Sequence, residues 1–199
     1  MIDKSTPSLS LTYVKTDTGC FPASPLPKGY TFVFYRAGDE VRWAEIEQSV
    51  GQFDTVEQGL STFRREFLEN QRLKPEDRML FVKAPDGEYV ATCSLWDGEF
   101  LGEIRQRLHW LAIKDSHSGK GIAKALLCRL MTLYGALGYE GFLYLLTSSR
   151  YYPAIRIYRS LGFSEYLGPR SLSRSLCDEE FTKKAIEAKE IVDQKLSPI

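Results

Sequence analysis

The sequence predicts an α/β chain with a mixed sheet, and three observations carry that reading. Strand-like and helix-like segments interleave along the chain. The run RMLFVKAPDGEYVATCSLW, residues 78–96, sets two strand-like stretches either side of Pro85-Asp86-Gly87, which predicts a β-hairpin. A third stretch, RLHWLAIK, leads through SHSGKG into a long segment with helical apolar spacing.

The elements follow in order. Residues 1–29 form an N-terminal extension in which SLSLTYV is strand-like and CFPASPLPKG, with three prolines, is a turn-rich connector. TFVFYR, residues 31–36, is rich in β-branched and aromatic residues and predicts a strand. In GDEVRWAEIEQSVG the acids suit a helix start and Gly51 suits its end. Thr55 and Gln58 then stand at capping-box spacing, with Val56, Leu60, Phe63 and Phe67 on one helical face.

After the hairpin, the polar residues 97–106 predict a loop, and residues 107–114 a strand. The helix expected from Gly121 to about Leu137 lines up Ile122, Leu126, Leu130, Leu133 and Leu137, with Gly138 as its stop. GFLYLLTS is almost wholly apolar, as suits a strand in mid-sheet. A short helix is expected over residues 153–161, ended by Gly162, and one or two strands over 163–173. Residues 178–195 predict a C-terminal amphipathic helix with Phe181, Ala185, Ile186 and Val192 toward one side. The length suits one domain, residues 1–199.

Composition excludes several functions. With 26 basic and 26 acidic residues the net charge is zero, against a general nucleic-acid binder. The four cysteines form no CxxC pair, so no metal is expected, and Cys93 and Cys128 are expected as buried free thiols. No apolar signal core and no run of 18 apolar residues occurs, so no membrane association is expected and a cytoplasmic location is the default.

The chemistry centres on SHSGKGIAKALL, residues 116–127. The first N–H groups of a helix lack intrahelical partners, and with no side chains at Gly119 and Gly121 an anion can approach them closely. A Walker loop is excluded, because Lys120 precedes Gly121 and no Ser or Thr follows. A dinucleotide GxGxxG is excluded by Lys124. Two ordinary loop glycines before a helix is the competing reading.

Together with its flanking strand and helix, S-G-K-G-I-A resembles the acetyl-CoA pyrophosphate loop of the GNAT acetyltransferase superfamily, whose pattern is Gln/Arg-x-x-Gly-x-Gly/Ala. Gly121 and Ala123 match; Ser118 stands where Gln or Arg is usual. PAIRIYRSLGF, residues 153–163, resembles the second motif of that family, a short helix with a Tyr ending in Leu-Gly-Phe, although Tyr151 stands where many members have Asn. The resemblance covers residues 107–163 closely. It implies a GNAT-like fold: a mostly antiparallel central sheet with splayed central strands, flanked by helices.

The resemblance also implies acetyl-CoA as co-substrate and a primary amine, of a small molecule or a peptide, as acceptor, attacking directly in a ternary complex. Backbone N–H groups from Gly119 through Lys120, Gly121 and Ile122 to Ala123 would hold the pyrophosphate. Ser118, Lys120 and Lys124 stand beside it, and Ala154 belongs to the same cofactor-binding set. The strand edge at Leu111, Ala112 and Ile113 would pair with the pantetheine amides. Tyr158 matches the general acid of the family, and a core aromatic is the competing reading.

His109 aligns with one of two histidines that arylalkylamine-type members carry on this strand, and Arg107 falls on the other. Strand alternation would put His109 on one face with Arg107, Leu111 and Ile113. A histidine is a suitable base near neutrality, and a histidine satisfied inside the sheet is the alternative. Glu99 and Glu103 are further candidates, whereas His117 reads as a solvated loop residue. Trp43, Phe53, Trp96 and Phe100 are candidate walls for the acceptor. A non-catalytic acetyl-CoA-binding sensor or interaction module remains the alternative function. The extension and the C-terminal helix are available surfaces for a homodimer or another partner.

Overall fold

The structure is a computed structural model that describes residues 3, 5–69, 72–169 and 178–197. The elements run β1 (Ser10–Lys15), β2 (Thr31–Phe34), α1 (Glu40–Ser49), α2 (Val56–Phe63), a π-turn (Arg64–Leu68), α3 (Pro75–Arg78), β3 (Met79–Lys83) and β4 (Tyr89–Phe100). They continue with β5 (Glu103–Ile113), a 3₁₀ turn (Asp115–His117), α4 (Ile122–Ala136), β6 (Leu143–Ser148), a 3₁₀ turn (Ser149–Tyr151), α5 (Tyr152–Ser160), β7 (Ser164–Glu165) and α6 (Asp178–Leu196). The strands are ordered β2-β3-β4-β5-β6-β1-β7, an α/β fold with an open and mostly antiparallel sheet.

The chain groups into two compact units, Phe21–Trp96 with Leu108–Gly138, and Met1–Cys20 with Asp97–Arg107 and Tyr139–Ile199. In the first, β3 pairs antiparallel with β2 and with β4. The β3–β4 turn is the expected one: Gly87 takes φ +90° and donates its N–H to the Ala84 carbonyl at 2.9 Å. Trp43, Ile46, Phe63, Phe67, Met79, Phe81 and Trp96 are buried in one cluster that also holds Ala112. Trp43 is its centre, touching Phe53, Phe63, Phe67 and Trp110 with ring centroids 5.1–5.8 Å apart.

Thr55 caps α2 as its spacing predicts, its hydroxyl accepting from the Gln58 N–H at 3.3 Å. The Gln58 side chain reaches back one residue further than a capping box requires, accepting from the Asp54 N–H at 3.0 Å. The sequence pattern predicts one continuous helix through residue 67. The structure instead loosens at Arg64 into a π-turn, closed by Glu69 N–H donating to the Arg64 carbonyl at 3.0 Å.

In the second unit, β1 pairs antiparallel with β6 in full register and with β7. Arg159 of α5 donates to Glu165 of β7 and to Asp193 of α6, and Tyr13 of β1 donates to Glu165 at 2.8 Å. This joins four elements through one buried-edge network.

Three expectations need correction. Residues 97–106 are not a loop: β4 runs to Phe100 and β5 starts at Glu103, joined at Leu101-Gly102 with φ +53° and +80°. Positive φ at both central residues is the tight two-residue hairpin turn, here with Leu where Asn or Asp is usual. On α6, Ala185, Ala188 and Val192 are buried but Ile186 is 43% exposed, because the buried stripe advances by three and four residues and passes it by. On α4, Leu137 is 40% exposed past the helix end, while Ala125, Leu127, Met131 and Tyr134 join the buried face. Cys93 and Cys128 are buried and free, as expected, and Cys20 is free and exposed; Cys177 and residues 170–173 lie outside the described residues.

Candidate functional site

The glycine loop follows β5 through the 3₁₀ turn. Gly119 and Gly121 adopt φ +75° and +84°, and a Cβ at either would point into open space. Their backbone conformation requires glycine, and their bare surface faces outward rather than into protein. Gly121 is the N-cap of the 15-residue α4 and supplies no side-chain cap. The first N–H groups of α4 therefore open onto uncluttered ground, the arrangement that receives an anion. Ser118, Lys120 and Lys124 are exposed around it, Ile122 is buried as an anchor, and Ala123 is half-buried.

His117 is not a solvated loop residue. Its side chain is 14% exposed, with Nδ1 2.9 Å from the Tyr30 hydroxyl, and Lys120 donates to that hydroxyl at 3.3 Å. Glu88 of the hairpin turn receives Lys114 Nζ at 2.8 Å and lies 3.6 Å from His117. The hydrogen bond from Lys114 holds the Glu88 carboxyl below its usual range. The connector and the hairpin turn are thus tied to the loop.

Upstream, β5 is irregular. Trp110 takes φ +53°, the left-handed region that a bulky residue adopts only under constraint. The ring of His109 packs on Phe67 at 6.2 Å, and that of Trp110 packs on Trp43 and Phe53 at 5.1 and 5.7 Å. Two successive residues thus face one cluster, which Ala112 also joins. The face shared by Arg107 and His109 therefore does not continue to Leu111 and Ile113, a correction to the simple alternation. Beside this turn of the backbone, the His109 carbonyl accepts from Ser94 Oγ of β4 at 3.1 Å.

His109 Nε2 lies 3.2 Å from Glu66 Oε2, with side chains 18% and 29% exposed. Sequence reasoning missed Glu66. Nothing in RREFLEN signals an i→i+5 bond, and the π-turn decides which way residue 66 faces. Trp43, Trp96 and Phe100, read as acceptor walls, are core side chains exposed by 2% or less; Phe53 is half-buried. Glu99 and Glu103 are exposed, and Glu103 pairs with Arg105.

Tyr158 belongs to the other unit. It is 7% exposed on α5, its ring 6.2 Å from Tyr13 and 6.4 Å from Phe163. Its carbonyl accepts the Phe163 N–H at 3.1 Å, closing the turn in which Gly162 takes φ +84°. Ala154 is half-buried in the first turn of the same helix. Among the described residues, no three His, Cys, Asp or Glu side chains are grouped to hold a metal, and no helix is long and apolar enough to cross a membrane.

Comparison with known proteins gives a consistent picture. Among curated proteins, none matches the sequence. A GCN5-related N-acetyltransferase from Sphaerobacter thermophilus is similar in structure, with TM-score 0.63 and 24% identity over 80% of this chain and 49% of that one. A GNAT-family acetyltransferase from Colwellia psychrerythraea matches at TM-score 0.59 and 14% identity, covering 80% and 53%. A GCN5-related N-acetyltransferase from Kribbella flavida matches at 0.52 and 15%, covering 80% and 55%. The chain spans about half the length of these structures, and at such identities the likeness establishes the fold. The sequence profile of the Acetyltransferase (GNAT) family matches residues 40–163, from the first residue of α1 to the end of the Leu-Gly-Phe turn. With well over half of the sequence matched, including both motifs, the chain belongs to the GNAT acetyltransferase family.

Proposed function

We propose that the protein is an acetyl-CoA-dependent N-acetyltransferase that acetylates a primary amine of a small molecule or peptide by direct attack in a ternary complex. The observation that carries this reading is the N-terminus of α4 behind Gly119 and Gly121, where Gly121 supplies no side-chain cap and a Cβ at either glycine would meet nothing. The fit to a pyrophosphate is chemical: an anion, unpaired donors, a helix dipole and two lysines at the rim. Backbone groups of Leu111, Ala112 and Ile113 would pair with the extended amide chain of the cofactor.

Acetyl-CoA supplies an activated acetyl group whose leaving group is a thiolate. The chain's own residues manage the protons. His109 takes the proton that the acceptor ammonium must lose before its nitrogen can attack. Tyr158, through its phenolic hydroxyl, gives its proton to the departing thiolate.

The test is thiol release from acetyl-CoA with phenethylamine, spermidine, glucosamine and a lysine peptide as acceptors. Turnover on at least one is expected, and Tyr158→Phe should lower it about tenfold with acetyl-CoA affinity unchanged. Calorimetric binding of acetyl-CoA without turnover on any amine would favour a sensor instead, and no binding at all would sink both readings.

A further inference from the structure

The geometry points to Glu66 as the positioning residue for His109: delivered by the π-turn, its carboxylate fixes the imidazole that removes the proton from the acceptor amine. This rests on the acetyltransferase reading above.

Two backbone irregularities converge on this one contact. The π-turn at Arg64–Leu68 interrupts a helix whose pattern would have continued, and Trp110 holds a left-handed conformation within β5. Each costs free energy that local sequence does not return, and such features persist where the surroundings require them. Here their joint product is His109 Nε2 at 3.2 Å from Glu66 Oε2, with Phe67, the next residue of the π-turn, packed on the imidazole at 6.2 Å. Ser94 of β4 secures the His109 carbonyl at 3.1 Å. The histidine is held through its backbone, its ring face and its ring edge.

The carboxylate also selects the tautomer. An ionised Glu66 can only accept, so Nε2 carries the hydrogen and Nδ1 carries the lone pair. The acceptor ammonium gives one proton to Nδ1, its N–H electron pair becomes the nucleophilic lone pair, and the new imidazolium faces the carboxylate charge. Arg65 Nη2 lies 3.8 Å from Glu66 Oε1. Cys93 of β4, kept as a thiol by burial, reaches the His109 carbonyl at 3.5 Å. Glu47 of α1, its own carboxyl pushed up by burial, when ionised raises the Cys93 thiol further. Arg107 precedes His109 by two residues on β5.

The experiment compares wild type, Glu66→Gln and Glu66→Asp on the best amine of the panel, with NMR of the imidazoles. The chain has only two histidines, so His109→Gln assigns the pair. In Glu66→Gln we expect kcat about tenfold lower, acetyl-CoA affinity within about twofold, and the acidic limb of the pH–rate profile moved to lower pH. The His109 titration should move the same way, and Glu66→Asp should restore part of kcat. Unchanged kcat and an unmoved limb in Glu66→Gln overturn the proposal. An Nδ1–H tautomer for His109 in the wild type overturns it without any variant. An inactive wild type removes the acetyltransferase reading and this proposal together, whereas an active wild type with an indifferent Gln variant removes this proposal alone.

Discussion

The loop at Gly119–Gly121 and the contact of His109 with Glu66 belong to the same compact unit, yet they are built in opposite ways. The loop is local: two glycines, two positive φ angles and a helix start, all within a few residues. The contact joins residues 43 positions apart and depends on two departures from regular geometry. A site that receives a ligand backbone can be encoded by small residues in one stretch. A site that positions a side chain needs distant segments to agree in register, and here that agreement comes from irregularity on both sides.

Four measurements can break or sharpen that contrast. The largest effect is expected for His109→Gln, with kcat lower by about a thousandfold and the acidic limb of the pH–rate profile abolished. A limb that survives would place the base elsewhere and leave the contact as packing. Next is Gly121→Val, where a branched side chain would both strain φ +84° and fill the ground above α4. Acetyl-CoA affinity by calorimetry should fall about a hundredfold, with the His109 titration untouched. Unaltered affinity would show that the loop is only a connector.

The third concerns Glu47, whose burial on α1 pushes its carboxyl up to about 8 and whose Oε1 lacks a hydrogen-bond partner. Because the folded value lies above the unfolded one, the folded state holds the proton longer. Stability is then full near pH 4 and declines as pH rises toward 8. Glu47→Gln should match the wild type near pH 4 and exceed it by several kcal/mol at pH 9 in denaturant titration. Parallel curves at all pH values would mean that Glu47 is ionised in the fold. The smallest effect is expected for Thr55→Ala, which removes the α2 cap and should cost about 1 kcal/mol. If the π-turn depends on a firmly started helix, this variant also lowers kcat; if kcat is unchanged, residues 64–68 hold their form through Phe67 alone.

The same contrast explains what was legible in the sequence. Pro85-Asp86-Gly87, Gly138 and Gly162 mark turns by the chemistry of one or two residues, and each forms as read. Residues 97–106 misled because their polarity resembles a loop, while Leu101-Gly102 lacks the Asn or Asp that announces a two-residue turn. The bulge at Trp110 has no sequence signal, since tryptophan is a poor occupant of positive φ, and only its packing between Trp43 and Phe53 accounts for it. Glu66 was hidden for the same reason: its direction is set by a hydrogen-bond shift, not by its neighbours in sequence. His109 was legible as a residue but not as half of a pair.

The Tyr30–His117 hydrogen bond gives the loop one further property. Glycines carry the largest backbone entropy of any residue, so a loose glycine loop would lose much of it on meeting a ligand. Here Tyr30, His117 and the Glu88–Lys114 pair restrain the chain immediately before Gly119, and Lys120 is held beyond it. The ordering cost is met during folding, by a connector about 90 residues away in sequence, and little of it is left to subtract from binding.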